Sequence, residues 1–123
     1  MINMQEIPIV VIAIARCRGS KNTFGIRVEK KGRSLWIADW AFSIPESKAA
    51  KEGYDRSQIS GSFGVDSAHY PGCPHCHAPG FFKCACGQIA CWDGESRKVT
   101  CPWCGAKGEL GATIESLNAG TDR

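Results

Sequence analysis

The decisive stretch opens with Cys73-Pro74-His75-Cys76, continues through Phe81-Phe82-Lys83-Cys84-Ala85-Cys86-Gly87-Gln88-Ile89-Ala90-Cys91-Trp92-Asp93-Gly94, and closes with Cys101-Pro102-Trp103-Cys104. Seven of the chain's eight cysteines lie in it. A C-P-x-C turn aims two thiolates at one ion while backbone N–H groups face the sulfurs. Zn²⁺ takes four such donors in a tetrahedron, at about 2.3 Å. Cys84 and Cys86 are two apart, so on a strand they leave the same face, and Cys91 sits on the return strand of that hairpin. One CxxC is a weak signal; two knuckles flanking three more cysteines form a strong one.

Seven donors exceed one tetrahedral site and fall one short of two. The eighth ligand is open between His75, His77, His69, Cys17 and water. A histidine is favoured, because structural zinc sites are closed and imidazole is a good ligand. The pairing into sites is open as well: 73/76 with 101/104 would leave 84/86/91 with a histidine, and interleaved sets are equally permitted. A region of this size buries too little apolar surface to stand alone. Structural zinc contributes about 10–16 kcal/mol to such modules, so residues 68–110 are expected to unfold on chelation.

Outward from the cysteines, the N-terminal half reads as a small β unit. Ile7-Pro8-Ile9-Val10-Val11-Ile12-Ala13-Ile14-Ala15 is a β-branched run suited to a buried strand over Ile7 to Ala15. It is not a signal h-region, since Glu6 precedes it without Lys or Arg, and Arg16-Cys17-Arg18 follows where a cleavage site would lie. A cytoplasmic location is expected, where clustered cysteines bind metal rather than form disulfides. No apolar run reaches membrane-spanning length. Cys17, at the strand's end, reads first as a buried small hydrophobe.

Phe24, Ile26 and Val28 alternate with Gly25, Arg27 and Glu29, a half-buried strand. After a Lys31-Gly32-Arg33 turn, a further strand places Trp36, Ala38, Trp40 and Phe42 on one face and Leu35, Ile37 and Ala41 on the other. Both faces are largely apolar, so it should be covered on both sides, with Trp36 and Trp40 in the core. A short helix over 44–52 is expected, capped by Ser43 with Glu46 completing a capping box and Gly53 ending it. Ser57 to Gly64 reads as a loop. The fold class is thus small and β-rich with one short helix. An N-terminal unit (1–67) packs with a zinc-ribbon-like cysteine-rich hairpin region (68–112), and a polar tail (113–123) follows.

The formal net charge is +3, with ten Lys/Arg and seven Asp/Glu in residues 1–67 and five of each after that. Seven thiolates on two Zn²⁺ would bring the total to zero, which removes the basic excess typical of nucleic-acid binders. A nucleic-acid-binding ribbon, with Trp92, Trp103, Phe81 and Phe82 as stacking platforms, is therefore second to a reading in which those rings form the core over the metal. Cys73-Pro74-His75-Cys76-His77 also matches the CxxCH haem-attachment pattern. That use needs export and an axial ligand such as Met1 or Met4, and leaves five cysteines without purpose. A zinc deaminase needs H-x-E with P-C-x-x-C; no Glu stands two after any histidine. No general base, nucleophile elbow or phosphate loop is evident, and Asp93 and Glu95 read as solvated turn residues. No catalytic residue and no enzyme activity is expected.

Taken together, Tyr70-Pro71-Gly72-Cys73-Pro74-His75-Cys76, Cys84-x-Cys86-Gly87, Cys91-Trp92-Asp93-Gly94 and Thr100-Cys101-Pro102-Trp103-Cys104-Gly105 resemble the TerY-type C-terminal metal-binding domain. Ala15-Arg16-Cys17, Phe24-Gly25-Ile26-Arg27, Trp40-Ala41-Phe42 and Glu52-Gly53-Tyr54-Asp55 are similar too, so the resemblance spans about residues 10–110. It implies a cysteine-and-histidine module with two zincs. The implied ligands are Cys73, Cys76, Cys84, Cys86, Cys91, Cys101, Cys104 and, as the best-fitting histidine, His75. His77 stands where glycine is expected after the knuckle. The family usually follows a von Willebrand factor A domain in bacterial tellurite-resistance and stress systems that also encode a protein kinase and a PP2C-type phosphatase. No room for the A domain exists here, so the expectation is a stand-alone module meeting protein partners in trans. A thiol-based redox or metal sensor is a further alternative.

Overall fold

A computed structural model describes residues 9–33, 35–52, 57–60, 62–84, 86–109 and 116–121, with the backbone alone for 52, 57–60 and 116–121. The expected helix stop at Gly53 lies outside the described residues. In chain order the strands are β1 (Val10–Arg16), β2 (Thr23–Lys30) and β3 (Leu35–Ser43), then helix α1 (Glu46–Glu52). They continue with β4 (Ser57–Ser60), β5 (Ser62–Val65), β6 (Gly80–Lys83), β7 (Ile89–Trp92), β8 (Lys98–Thr100), β9 (Lys107–Glu109) and β10 (Ser116–Thr121).

β1 is the hub. Along one edge it pairs antiparallel with β2 over its whole length. Its other edge is shared: Val11–Ala13 pair with β10, and Ala15 and Arg16 pair in parallel with Ile89 and Ala90 of β7. The main sheet runs β4-β10-β1-β2-β3-β5. β4 and β5 are one residue apart in the chain yet lie at opposite ends of that order, so the sheet curls into a nearly closed barrel. The Ser57–Gly64 stretch, read as a loop from its Ser and Gly content, supplies both edges. The expected tail likewise contains β10, in which Leu117, Ala119 and Thr121 alternate with Ser116, Asn118 and Gly120. The sequence boundary near residue 67 is crossed by this pairing and by the core.

The inner face follows from the alternation in β1 and β2. Ala13, Ala15, Phe24, Ile26 and Val28 are fully buried. They share one cluster with Tyr70, Cys73, Phe81, Ile89 and Cys91 from the cysteine-rich half. The outer face carries Ile12 and Ile14, which pack with Ile44 and Ala49 of the helix segment and with Phe42 and Trp103. Gly25 lies between Ile14 and Phe42 in the register, and a Cβ there would come within 2.5 Å of the Phe42 ring.

β3 corrects the expected facing. Arg27 pairs with Trp40 but Val28 pairs with Ala38, so Asp39 is an extra residue. A bulge of this kind shifts the side-chain phase by one. Trp36 and Ala38 point in, Ala41 takes the next inward position, and Trp40 is left 52% exposed rather than in the core. Arg27 holds the bulge through an ion pair with Asp39. The helix entry also differs: Ser43 stays in β3, and the carbonyl of Pro45 accepts the first helical bonds from Lys48 and Ala49. The buried Thr23 hydroxyl donates to the Ile44 carbonyl at 2.5 Å and fixes that corner.

Candidate metal centre

Three turns in the chain share one hydrogen-bond pattern. In the first knuckle the Cys73 N–H donates to Ala78 and the His77 N–H to Cys73; in the second the Cys101 N–H donates to Ala106 and the Gly105 N–H to Cys101. After β1 the same pattern recurs: the Cys17 N–H donates to Asn22 and the Lys21 N–H to Cys17, each at 2.9 Å. The fifth residue of each turn has positive φ: 65° at His77, 78° at Gly105 and 64° at Lys21. Cys17-Arg18-Gly19-Ser20-Lys21-Asn22 is therefore a third knuckle with Ser20 in place of the second cysteine. His77 occupies the glycine position in glycine's conformation.

These turns converge on two groups of four thiols. The inner group is Cys17, Cys73, Cys76 and Cys91; the outer group is Cys84, Cys86, Cys101 and Cys104. In each, all four sulfurs lie within 4.8 Å of one another. All seven cysteines singled out from the sequence are in one group or the other, in an interleaved pairing. Cys17 stands in the eighth position where His75 was favoured. The His75 ring is turned away, with Nε2 3.0 Å from the Thr23 carbonyl oxygen. His69 is also elsewhere, its Nδ1 2.7 Å from Asp66 Oδ2. His77 belongs to neither group.

The geometry fits a tetrahedral ion. With sulfurs about 2.3 Å from a central zinc, the edge of the tetrahedron is about 3.8 Å. The Cys76–Cys91, Cys84–Cys104 and Cys86–Cys101 sulfurs are 3.6, 3.6 and 3.8 Å apart, far beyond the roughly 2.05 Å of a disulfide. Backbone N–H groups face the sulfurs as a thiolate site requires. His75 N–H donates to Cys73 Sγ at 3.4 Å and Arg18 N–H to Cys91 Sγ at 3.3 Å. In the outer group, Trp103 N–H donates to Cys101 Sγ at 3.4 Å and Ala106 N–H to Cys104 Sγ at 3.5 Å.

The electrostatics point the same way. Burial pushes the Cys91 thiol up to about 11 and Cys86 up to about 12, and it raises Cys73. Cys17 is also pushed up by burial, but hydrogen bonds from Ser20, Gly19 and Cys76 outweigh this and bring it down to about 6. Four thiols this close cannot all ionise beside one another unless a cation sits among them. Tyr70, packed edge-on to Phe81, is raised by burial and then by the neighbouring cysteines.

The outer group is anchored through Trp103. Its Nε1 donates to the Ile89 carbonyl at 2.7 Å, and the Arg16 guanidinium lies 4.0 Å above its ring. Arg16 also reaches Glu46 of α1 at 2.5 Å. Asp93 organises the turn beyond β7: Oδ1 accepts from the Glu95 and Ser96 N–H groups and Oδ2 from the Ser96 hydroxyl. Ser96 in turn accepts from Trp92 Nε1.

The TerY-C metal binding domain family matches residues 8–122. The chain belongs to this family. No curated protein and no solved structure matches it. In this TerY-C domain, no helix among the described residues is long and apolar enough to cross a membrane.

Cys17 was one of the open candidates for the eighth ligand but ranked behind the histidines, because it lies 56 residues before its nearest partner and its turn lacks both the proline and the second cysteine. Its signal was nonetheless present: a cysteine closing a buried strand, followed by Gly19-Ser20, is a knuckle start.

Proposed function

We propose that the chain is a non-catalytic, zinc-stabilised protein-interaction module of a bacterial tellurite-resistance or stress system, with two structural Zn²⁺ ions. The observation that carries this reading is the all-thiol, four-donor make-up of both groups, since closed tetrathiolate sets are the mark of structural zinc. Cys17, Cys73, Cys76 and Cys91 would hold one ion, and Cys84, Cys86, Cys101 and Cys104 the other. Zinc would supply cross-linking, not chemistry: neither set has a spare position for water. Eight thiolates subtract eight from the formal +3 and two Zn²⁺ return four, leaving −1. That balance favours a protein partner over a polyanion.

The partners proposed are those the resemblance implied, namely a von Willebrand A-domain protein, a kinase or a PP2C-type phosphatase of the same system, met in the cytoplasm. Native mass spectrometry of protein purified without added metal is the first test, and a mass of chain plus two zincs is expected. Size-exclusion chromatography with each candidate partner at micromolar concentration is the second. A chain with two zincs that forms no complex with any of the three argues against the partner assignment. One zinc or none argues against the metal assignment.

One observation favours a second reading. Cys86 and Cys104 of the outer group are exposed, which suits a thiol sensor that yields its zinc to oxidants. Zinc release at peroxide levels that leave a structural zinc control intact supports it; equal resistance removes it.

A further inference from the structure

The turn after β1 and the second knuckle face each other across a groove of about 480 Å³. Its walls include Arg18, Lys21 and Lys98, together with Thr100, Cys101 and Trp103, and no Asp or Glu among the described residues lines it. None of the three cations forms an ion pair among the described residues. The Nε of Arg18 is buried without a hydrogen-bond partner. Asp93 lies within the field of Arg18, which helps to hold its carboxyl below the usual range, but both its oxygens are engaged by its own turn. Lys21 stands at the positive-φ position that Gly105 occupies in the second knuckle, so the third knuckle places a lysine at the groove where its counterpart has no side chain.

We infer that this groove is an anion site that takes a phosphate monoester. Unpaired guanidinium and ammonium groups around one small volume form charge-assisted hydrogen bonds to a dianion. Val99 and Pro102 offer an apolar wall to the organic part of the ester. The three cations line one short groove, and the zinc-loaded chain carries no basic excess. Both points favour a terminal monoester over the diester backbone of a nucleic acid. The inference rests on the zinc reading only in that the second knuckle forms one wall.

The test uses the full chain loaded with zinc, its metal count checked by native mass spectrometry. Amide resonances are followed while O-phosphoserine is added at fixed ionic strength and pH, with serine, sulfate and a single-stranded oligonucleotide as separate arms. The expected result is saturable shifts of the Lys98–Gly105 amides with phosphoserine, absent with serine and weaker with sulfate. Lys21→Gln combined with Lys98→Gln should weaken binding roughly tenfold or more while the two zincs are kept. Absence of saturation in a chain holding two zincs overturns the site. So does an unchanged affinity in the double variant, or tighter binding of the oligonucleotide. Retained shifts in a chain with one zinc would overturn the metal assignment and leave the anion site standing.

Discussion

The two four-thiol groups use the same donors in unlike surroundings. In the inner group Cys17, Cys73 and Cys91 are buried and only Cys76 is exposed; in the outer group only Cys101 is buried. Cys17, Cys73 and Cys91 belong to the cluster that holds Phe24, Ile26, Val28 and Ile89. Beside the outer group lies a smaller cluster of Phe82, Ala90 and Val99, with Cys84 and Trp92 against it. The inner group ties the end of β1 to the first knuckle and to β7. The outer group ties only the β6–β7 turn to the second knuckle, next to β8 and an exposed β9. Identical coordination chemistry can thus serve a core or a rim, and the elements it joins decide which.

The sharpest break of this comparison is Cys73→Ser against Cys104→Ser. Structural zinc is worth about 10–16 kcal/mol, as much as the roughly 5–15 kcal/mol of a whole domain. Cys73→Ser is expected to abolish the cooperative thermal transition and collapse amide dispersion. Cys104→Ser should lose one zinc, disturb residues 84–88 and 98–109, and keep the β1–β2–β3 resonances. Equal damage from the two would dissolve the distinction.

Chelation and acid sharpen it further. Thiolate ligands must stay deprotonated, so zinc is lost as pH falls, not as it rises. Titration from neutral to mildly acid pH, or with a chelator, should give two steps by metal-dye assay, the solvent-open outer ion leaving first. A single concerted release means the groups are coupled through Trp103 and Arg16. At the next level, Cys17→Ser should cost the inner zinc whereas His75→Ala keeps both ions. The latter loses its contact with the Thr23 carbonyl and its edge-on contact with the Phe24 ring, about 1 kcal/mol by denaturant unfolding. The smallest effect belongs to Trp103→Phe, which removes the bond to the Ile89 carbonyl: about 1 kcal/mol or less, confined to faster release of the outer zinc.

Much of this was legible from residue order alone. Phe24, Ile26 and Val28 announced β2 through strict alternation, and the C-P-x-C pairs announced the two later knuckles. Three features were hidden for physical reasons. Asp39 reads as one polar lapse in an apolar strand, and only pairing against β2 reveals that it is inserted. Cys17 depends on a contact made by folding, not by spacing. β4, β5 and β10 are poor in strong strand formers, and their role comes from the edges they cover, which local composition does not encode.

That last point bears on how the molecule is made. β10 lies between β1 and β4, so a strand synthesised after the other described strands must be inserted between two of them. Until it leaves the ribosome, part of β1's edge and all of β4 present bare backbone groups of the kind that recruit other nascent chains. A chain ending before residue 116 would contain all eight cysteines but lack the strand that joins β1 to β4.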